Sequence, residues 1–301
     1  MNLPTPKQLL YFTAVAELQH FGRAAERCFV THSTLSAGIQ ELEYLLDTVL
    51  FERSKRQVIL TAKGAELLVQ AQRILAMSKE FVETAKSDGT PLSGSLRMGV
   101  IPTIGPFLLP RVLPVIRQRY PSLELLLVED RTASLVDKLN RGELEAAIIA
   151  FPYDVGQLEQ ELFWQEDFVL VLPRQHRLAR EQSLATASLP GNELLLLEEG
   201  HCLTDHALGV CHLQQLKGKT AFQGTSLYTL LEMVAGGLGM TFVPQMALGE
   251  DLNSSKEIAL VPLAEPGPHR QIGIIWRRTY YRKTDLRLLA KEMRALLQKE
   301  V

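Results

Sequence analysis

Between residues 96 and 276 the chain repeats one alternation: a short apolar run, then a stretch with helical spacing. The runs are Leu96–Ile101, Leu123–Val128, Ala146–Ala150, Phe168–Leu172, Leu194–Leu197, Thr220–Phe222, Met240–Val243 and Ile272–Trp276. This alternation predicts parallel sheets with helices outside. Runs this apolar suit strands covered on both faces. The stretch is long enough for two sheets, and the chain is expected to cross between them near Gln165 and again near Gly267. In open α/β sheets, ligands sit beyond the carboxyl ends of the strands. Thr103 follows the first run and Thr132 the second. Each is placed to face such a crevice, and equally placed to cap the next helix.

Three helical patterns precede this region: Pro6–Leu18, Phe21–Cys28 and Thr34–Leu46. The last carries Leu35, Ile39, Leu42, Leu45 and Leu46 on one stripe. Ala24 and Ala25 are small enough for a close helix crossing, and the break at residues 29–33 is short. A helix-turn-helix needs these features, because its second helix must present polar side chains to a DNA groove. Cys28 reads as a core residue. Arg53, Lys55, Arg56 and Lys63 then gather with no acidic neighbour in residues 53–63. A basic turn before a short strand reads as a wing lying along phosphates. A solvated hairpin on an ordinary helical domain fits the same pattern.

Residues 62–87 contain no proline and one glycine. Leu67, Ala71, Ile74, Ser78, Phe81 and Ala85 form a heptad seam, with Leu68, Leu75 and Val82 alongside. So apolar a helix is expected to pair with a second chain; packing on its own domain is the alternative. Asp88-Gly89-Thr90-Pro91 then breaks the helix.

The net charge of −2 advertises no nucleic-acid partner in bulk, although a basic face can hide within a neutral total. No apolar run approaches the roughly 20 residues of a membrane span. The start, Met-Asn-Leu-Pro-Thr-Pro-Lys, does not read as an export signal. Three cysteines in 301 residues suggest a reducing compartment. The sequence calls for no metal, no cofactor and no membrane partner, and a cytoplasmic location is expected.

Two of the cysteines, Cys202 and Cys211, lie close together in sequence. A disulfide needs α-carbons about 4.4–6.8 Å apart. Nine residues of helix would hold them about 13 Å apart, so a bond needs a tight loop, and if Thr204 to Val210 is a helical turn, bonding must unwind it. His201 and His206 flank Cys202, and Thr204 or Asp205 stands ready to cap a short helix. A helix start and an imidazolium favour the thiolate, whereas Asp205 opposes it. Such a pair is a candidate switch; two buried, passive cysteines fit the spacing as well.

The residues His20-Phe21-Gly22-Arg23-Ala24-Ala25-Glu26, Thr34-Leu35-Ser36, Ile39, Leu42-Glu43, Leu50-Phe51-Glu52-Arg53 and Leu60-Thr61-Ala62-Lys63-Gly64 resemble the N-terminal domain of LysR-type transcriptional regulators. That family's recognition helix usually opens with Ser-Gln and a small residue or Pro; here it reads Thr31-His32-Ser33. The alternation of runs and helices resembles the family's effector domain, which is similar to bilobed solute-binding proteins. The resemblance implies an α/β chain in three parts. Residues 1–61 would be an N-terminal all-α winged helix-turn-helix. Residues 62–94 would be a linker helix and hinge. Residues 95–301 would be a bilobed, periplasmic-binding-protein-like effector domain with two mixed α/β sheets, lobe I at 95–165 plus 268–301 and lobe II at 166–267. Double-stranded DNA would be met by Thr31, His32, Ser33, Thr34, Ser36, Arg53, Lys55 and Arg56.

Within the family, Gly200-His201-Cys202-Leu203-Thr204-Asp205 with Cys211, Ile101-Pro102-Thr103, and Arg270 before Ile272-Gly273 resemble the peroxide-sensing regulators. There Cys202 would be the peroxidatic thiol and Cys211 the resolving one, joined by an intramolecular disulfide. Thr103, Thr132, His201, Asp205 and Arg270 would surround hydrogen peroxide. The chain departs at Thr204 and His206, where that group often has Arg and Gln. The implied partners are operator DNA, a second copy in a homodimer or homotetramer, RNA polymerase, and a glutaredoxin- or thioredoxin-type reductant. The alternative is a LysR-type regulator answering a small organic effector, its cysteines passive. An enzyme is not expected: the N-terminus looks built for DNA and there is no Cys-x-x-Cys.

Overall fold

The computed structural model describes residues 3–53, 57–86, 89–198, 200, 203–204, 206, 223–224, 226–249, 252 and 255–299. They fall into two compact units, one holding residues 1–89 and 138–143, the other residues 90–137 and 144–301.

In the first unit, Thr5 opens α1 (Pro6–Leu18) with a capping box. Its hydroxyl accepts from the Gln8 amide at 3.2 Å, and Gln8 Oε1 accepts from the Thr5 amide at 2.9 Å. His20 starts α2 (Phe21–Arg27), its Nδ1 accepting from the Arg23 amide at 3.1 Å. The helix ends in a Schellman turn, with Val30 N donating to Ala25 O and Phe29 N to Glu26 O. That turn holds Phe29 at φ 55° and 94% exposed. The next helix, α3 (His32–Leu46), begins two residues before the expected Thr34. The Thr31 hydroxyl accepts from the Thr34 amide at 3.2 Å, so His32 and Ser33 belong to the first helical turn and not to the break.

The wing consists of β1 (Phe51–Arg53) and β2 (Val58–Leu60), paired antiparallel. Glu43 of α3 ties it down, its Oε1 accepting from the amides of Leu50 at 2.8 Å and Phe51 at 3.3 Å. Thr61 caps α4 (Ala62–Lys86) through the Gly64 amide at 2.9 Å and also donates to Val49 O at 2.8 Å. The seam of α4 is shared between two fates. Leu67, Leu68, Ala71 and Leu75 pack on the unit's own core, whereas Ile74, Phe81 and Val82 stay exposed, as does Met77 outside the seam. Packing on the same domain therefore holds for the first half of the seam. Cys28 is half-buried against that core, at the end of α2. Burial pushes its thiol pKa up, with Arg27 pulling the other way.

The second unit runs β3 (Gly94–Val100), α5 (Gly105–Arg119), β4 (Leu123–Glu129), α6 (Thr132–Arg141), β5 (Ala146–Phe151), β6 (Leu158–Glu166), β7 (Phe168–Pro173), β8 (Leu196–Leu197), β9 (Gln223–Gly224), α7 (Leu227–Ala235), β10 (Thr241–Pro244), β11 (Ile258–Pro262), β12 (Arg270–Arg277) and α8 (Lys283–Leu297). One sheet has the order β4-β3-β5-β12-β6. Its first three strands are parallel, and β12 runs antiparallel to both β5 and β6. The other has the order β10-β7-β11, with β10 and β11 both antiparallel to β7. The alternation alone suggested parallel sheets; the structure has one mixed sheet and one antiparallel sheet, beside a short parallel β8–β9 pair. The expected coverage of both faces holds for β5, buried along its length, but not for edge strand β4, where Leu126 and Leu127 are 44% and 37% exposed. The run Thr220–Phe222 lies outside the described residues.

The chain leaves the first sheet at Asp167 and returns before β12 through a cis Gly267–Pro268 bond. These two passes touch: a Cβ at Gly267 would fall on the exposed carboxylate of Asp167, which would have to turn away. His269 joins them, its Nδ1 accepting from Phe168 N at 2.9 Å, its ring stacked 5.8 Å from that of Phe168.

Candidate functional site

The carboxyl ends of β4, β3 and β5 lie side by side and carry Thr132, Thr103 and Pro152 respectively. Thr103 is 2% exposed, and it does not cap α5, whose first turn has no side-chain cap. Its partner is Arg270, the first residue of β12. Arg270 Nη1 donates to Thr103 Oγ1 at 3.3 Å and Nη2 to Thr103 O at 3.2 Å. Thr132, 1% exposed, is the first helical residue of α6.

The Arg270 side chain is fully buried. A charge so placed must be paired, and it is. Glu166, at the end of β6, accepts from Arg270 Nε at 2.7 Å and lies 2.6 Å from Nη2. Its second oxygen accepts from the Met246 amide at 2.6 Å, and the Arg270 Cζ lies 5.9 Å from the Phe168 ring centre. Sequence reasoning missed Glu166. The one signal was an acid at the point where the chain changes sheets, 104 residues before its partner.

Other contacts cross between the sheets' two layers of structure. His206 is 6% exposed and its Nε2 lies 2.8 Å from Pro152 O. Thr204 is also buried and donates to Leu197 O at 3.0 Å; it lies within a helical turn with Leu203 and so is not its cap. Arg131, just after β4, pairs with Glu198 at 2.8 Å, and the rings of Phe107 and Tyr228 approach to 5.6 Å. Arg111 donates to Met246 O at 3.1 Å. The expected site residues His201, Cys202, Asp205 and Cys211 lie outside the described residues. Of the expected pocket, the structure brings together Thr103 and Arg270, with Thr132 on the neighbouring strand end.

On the DNA-binding side, Thr31, His32, Ser33 and Thr34 are exposed at the start of α3, with Ser36 half-buried one turn on. The hydroxyl of Thr31 lies 3.0 Å from that of Ser33 and 2.8 Å from that of Thr34. Hydroxyls at a helix N-terminus suit phosphate or base-edge contacts. Arg53 ends β1; Lys55 and Arg56 lie outside the described residues. Among the described residues, no cluster of three or more His, Cys, Asp or Glu is arranged for a metal, and no helix is long and apolar enough to cross a membrane.

Comparison with known families matches residues 6–65 to the bacterial regulatory helix-turn-helix protein of the lysR family, and residues 89–298 to the LysR substrate binding domain. The chain belongs to the LysR family. A probable hydrogen peroxide-inducible genes activator of Mycobacterium avium is 41% identical over 288 residues, covering 95% of this chain and 92% of the relative. A full-length OxyR variant from Pseudomonas aeruginosa superposes with a TM-score of 0.78 at 35% identity, covering 97% of this chain and 98% of that one. An OxyR mutant of Corynebacterium glutamicum described as H2O2-bound superposes with a TM-score of 0.67 at 32% identity, covering 99% and 94%. This LysR-family chain is thus OxyR-like from end to end.

Proposed function

We propose that this chain is a hydrogen-peroxide-sensing transcriptional regulator, switched by oxidation of Cys202 and an intramolecular Cys202–Cys211 disulfide. The observation that carries this reading is the likeness to hydrogen peroxide-inducible activators over nearly the whole length. The buried Thr103–Arg270 pair supports it, because it sets a hydroxyl and a guanidinium at the carboxyl ends of the strands, where ligands of such sheets bind. Arg270 can only donate, so the Thr103 hydroxyl accepts from it and has its own proton left for a ligand.

The chemistry proceeds in two steps. The Cys202 thiolate attacks one peroxide oxygen; an S–O bond forms, the O–O bond breaks, and hydroxide leaves as water after taking a proton. Thr103, with Thr132, His201, Asp205 and Arg270, holds the peroxide and supports the developing charge. Cys211 then attacks the Cys202 sulfenic acid, forming S–S and releasing a second water. The two thiols have lost two electrons, which a glutaredoxin- or thioredoxin-type dithiol returns. Closing a ten-residue loop removes about 2–3 kcal/mol of chain entropy, on the scale of allosteric couplings of about 1–3 kcal/mol. The refolded segment alters how effector domains pair in the homodimer or homotetramer. That resets the spacing of helix-turn-helix units on operator DNA, and so access for RNA polymerase.

Non-reducing peptide mapping after a stoichiometric peroxide pulse tests this directly. A peptide joining Cys202 to Cys211 is expected in the wild type and absent from Cys202→Ser. An unchanged peroxide response of DNA binding in Cys202→Ser would instead favour a small organic effector.

A further inference from the structure

Glu166 is a carboxylate with a 2% exposed side chain, used by no step above. Its two hydrogen bonds and one further ion-pair contact all serve to fix something. Oε1 takes Arg270 Nε at 2.7 Å and Nη2 at 2.6 Å, and Oε2 takes the Met246 amide at 2.6 Å. A guanidinium is flat, with its donors in a rigid fork. Once the carboxylate holds one side of that fork, the remaining donors of Arg270 have a set direction. They meet Thr103, at Oγ1 and at the carbonyl.

We propose that Glu166 is a positioning residue for the peroxide reaction: by locking the guanidinium plane of Arg270, it fixes the Thr103 hydroxyl as a hydrogen-bond donor to bound peroxide. The claim rests on the peroxide-sensing reading. A threonine hydroxyl rotates freely unless something occupies its lone pairs. Arg270 occupies one, and Glu166 keeps Arg270 from turning away. Glu166→Gln keeps the shape and one acceptor. Its amide group must then face a donor, either Arg270 or the Met246 amide, and in both orientations the charge that holds the fork is gone.

The test uses the full-length reduced protein, following Cys202 by mass spectrometry of its peptide. Two reagents are compared, hydrogen peroxide and iodoacetamide. Glu166→Gln is expected to slow oxidation of Cys202 by roughly 10–100-fold, the scale of one misplaced donor at a reacting oxygen. Alkylation by iodoacetamide, which does not need that donor, is expected to change no more than about twofold. In a Thr103→Val background, Glu166→Gln should cost little further peroxide reactivity, because the proton it positions is already gone. Equal slowing with both reagents, or full additivity with Thr103→Val, overturns the proposal and leaves Glu166 a structural hinge pair. If Glu166→Gln fails to fold, Glu166→Asp keeps the charge at shorter reach, with selective slowing expected and equal slowing overturning. A wild-type Cys202 no faster with peroxide than free cysteine overturns the peroxide reading itself. A fast wild type with an equally fast Glu166→Gln removes only the role of Glu166.

Discussion

Glu265 shows how one carboxylate can make stability depend on pH. Burial alone would raise its pKa. The hydroxyl of Thr186 at 2.6 Å and the amide of Thr186 at 2.7 Å outweigh that, helped by its own backbone and by His269, and hold it below the usual glutamate range. A group with a depressed folded pKa stabilises above its unfolded value, about 4.3, and that contribution fades as pH falls through the folded value. Thr186→Val removes the hydroxyl and keeps the amide. We expect a loss of about 1–3 kcal/mol at pH 7. The difference from wild type should shrink as pH falls below the ordinary glutamate value, about 4.3, and on through the lowered folded value. Urea denaturation at pH 7 and pH 3.5 measures both; an undiminished difference at the lower pH would remove the ionised carboxylate from the explanation.

At the scale of elements, the contact of α1 with α3 sets two rules against each other. Ala is favoured over Gly inside a helix by about 1 kcal/mol, so propensity says Gly38→Ala should stabilise. A Cβ at Gly38 would instead sit 2.8 Å from Tyr11 Cδ2, and Tyr11 is 3% exposed in the core. Overpacking of this kind costs about 1–3 kcal/mol, and we expect it to win. Thermal unfolding of Gly38→Ala should show a lower midpoint, with weaker DNA binding as α3 is pushed off its seat. Most of this unit was legible in the sequence, because its determinants are local: Thr5, His20, Thr31 and Thr61 each act within three residues. The effector region was legible as strands and helices but not as sheet directions. An apolar run such as Thr241–Pro244 has no feature that says which way it meets Phe168–Pro173. Strand β6 was missed because Glu159, Gln160, Glu161 and Gln165 break its apolar pattern at a sheet edge. In the crevice, Thr103 and Arg270 were legible by resemblance, whereas Glu166 was not, since its role appears only once distant strands meet.

At the scale of the whole molecule, the exposed half of the α4 seam argues for a second copy. Ile74, Met77, Phe81 and Val82 are 48%, 58%, 78% and 47% exposed along two turns of helix. Water gains nothing from that stripe, and burying each such side chain is worth about 1.5–3 kcal/mol. The spacing of Ile74, Ser78, Phe81 and Ala85 is that of a helix meeting another helix. A dimer carries two recognition helices, so each operator is held at two half-sites and the second contact is intramolecular. Placing charge in the seam should therefore do far more to DNA binding than it does to either unit's fold. For Ile74→Glu with Phe81→Glu we expect sedimentation velocity to show monomer where the wild type is dimer or larger. Affinity for a duplex selected by the wild type from a random pool should fall about 100-fold or more, the scale of lost bivalency. The core of the first unit includes neither residue, so its thermal midpoint should stay close to that of the wild type. A variant that remains dimeric would show that the bare face of α4 is not what joins the copies.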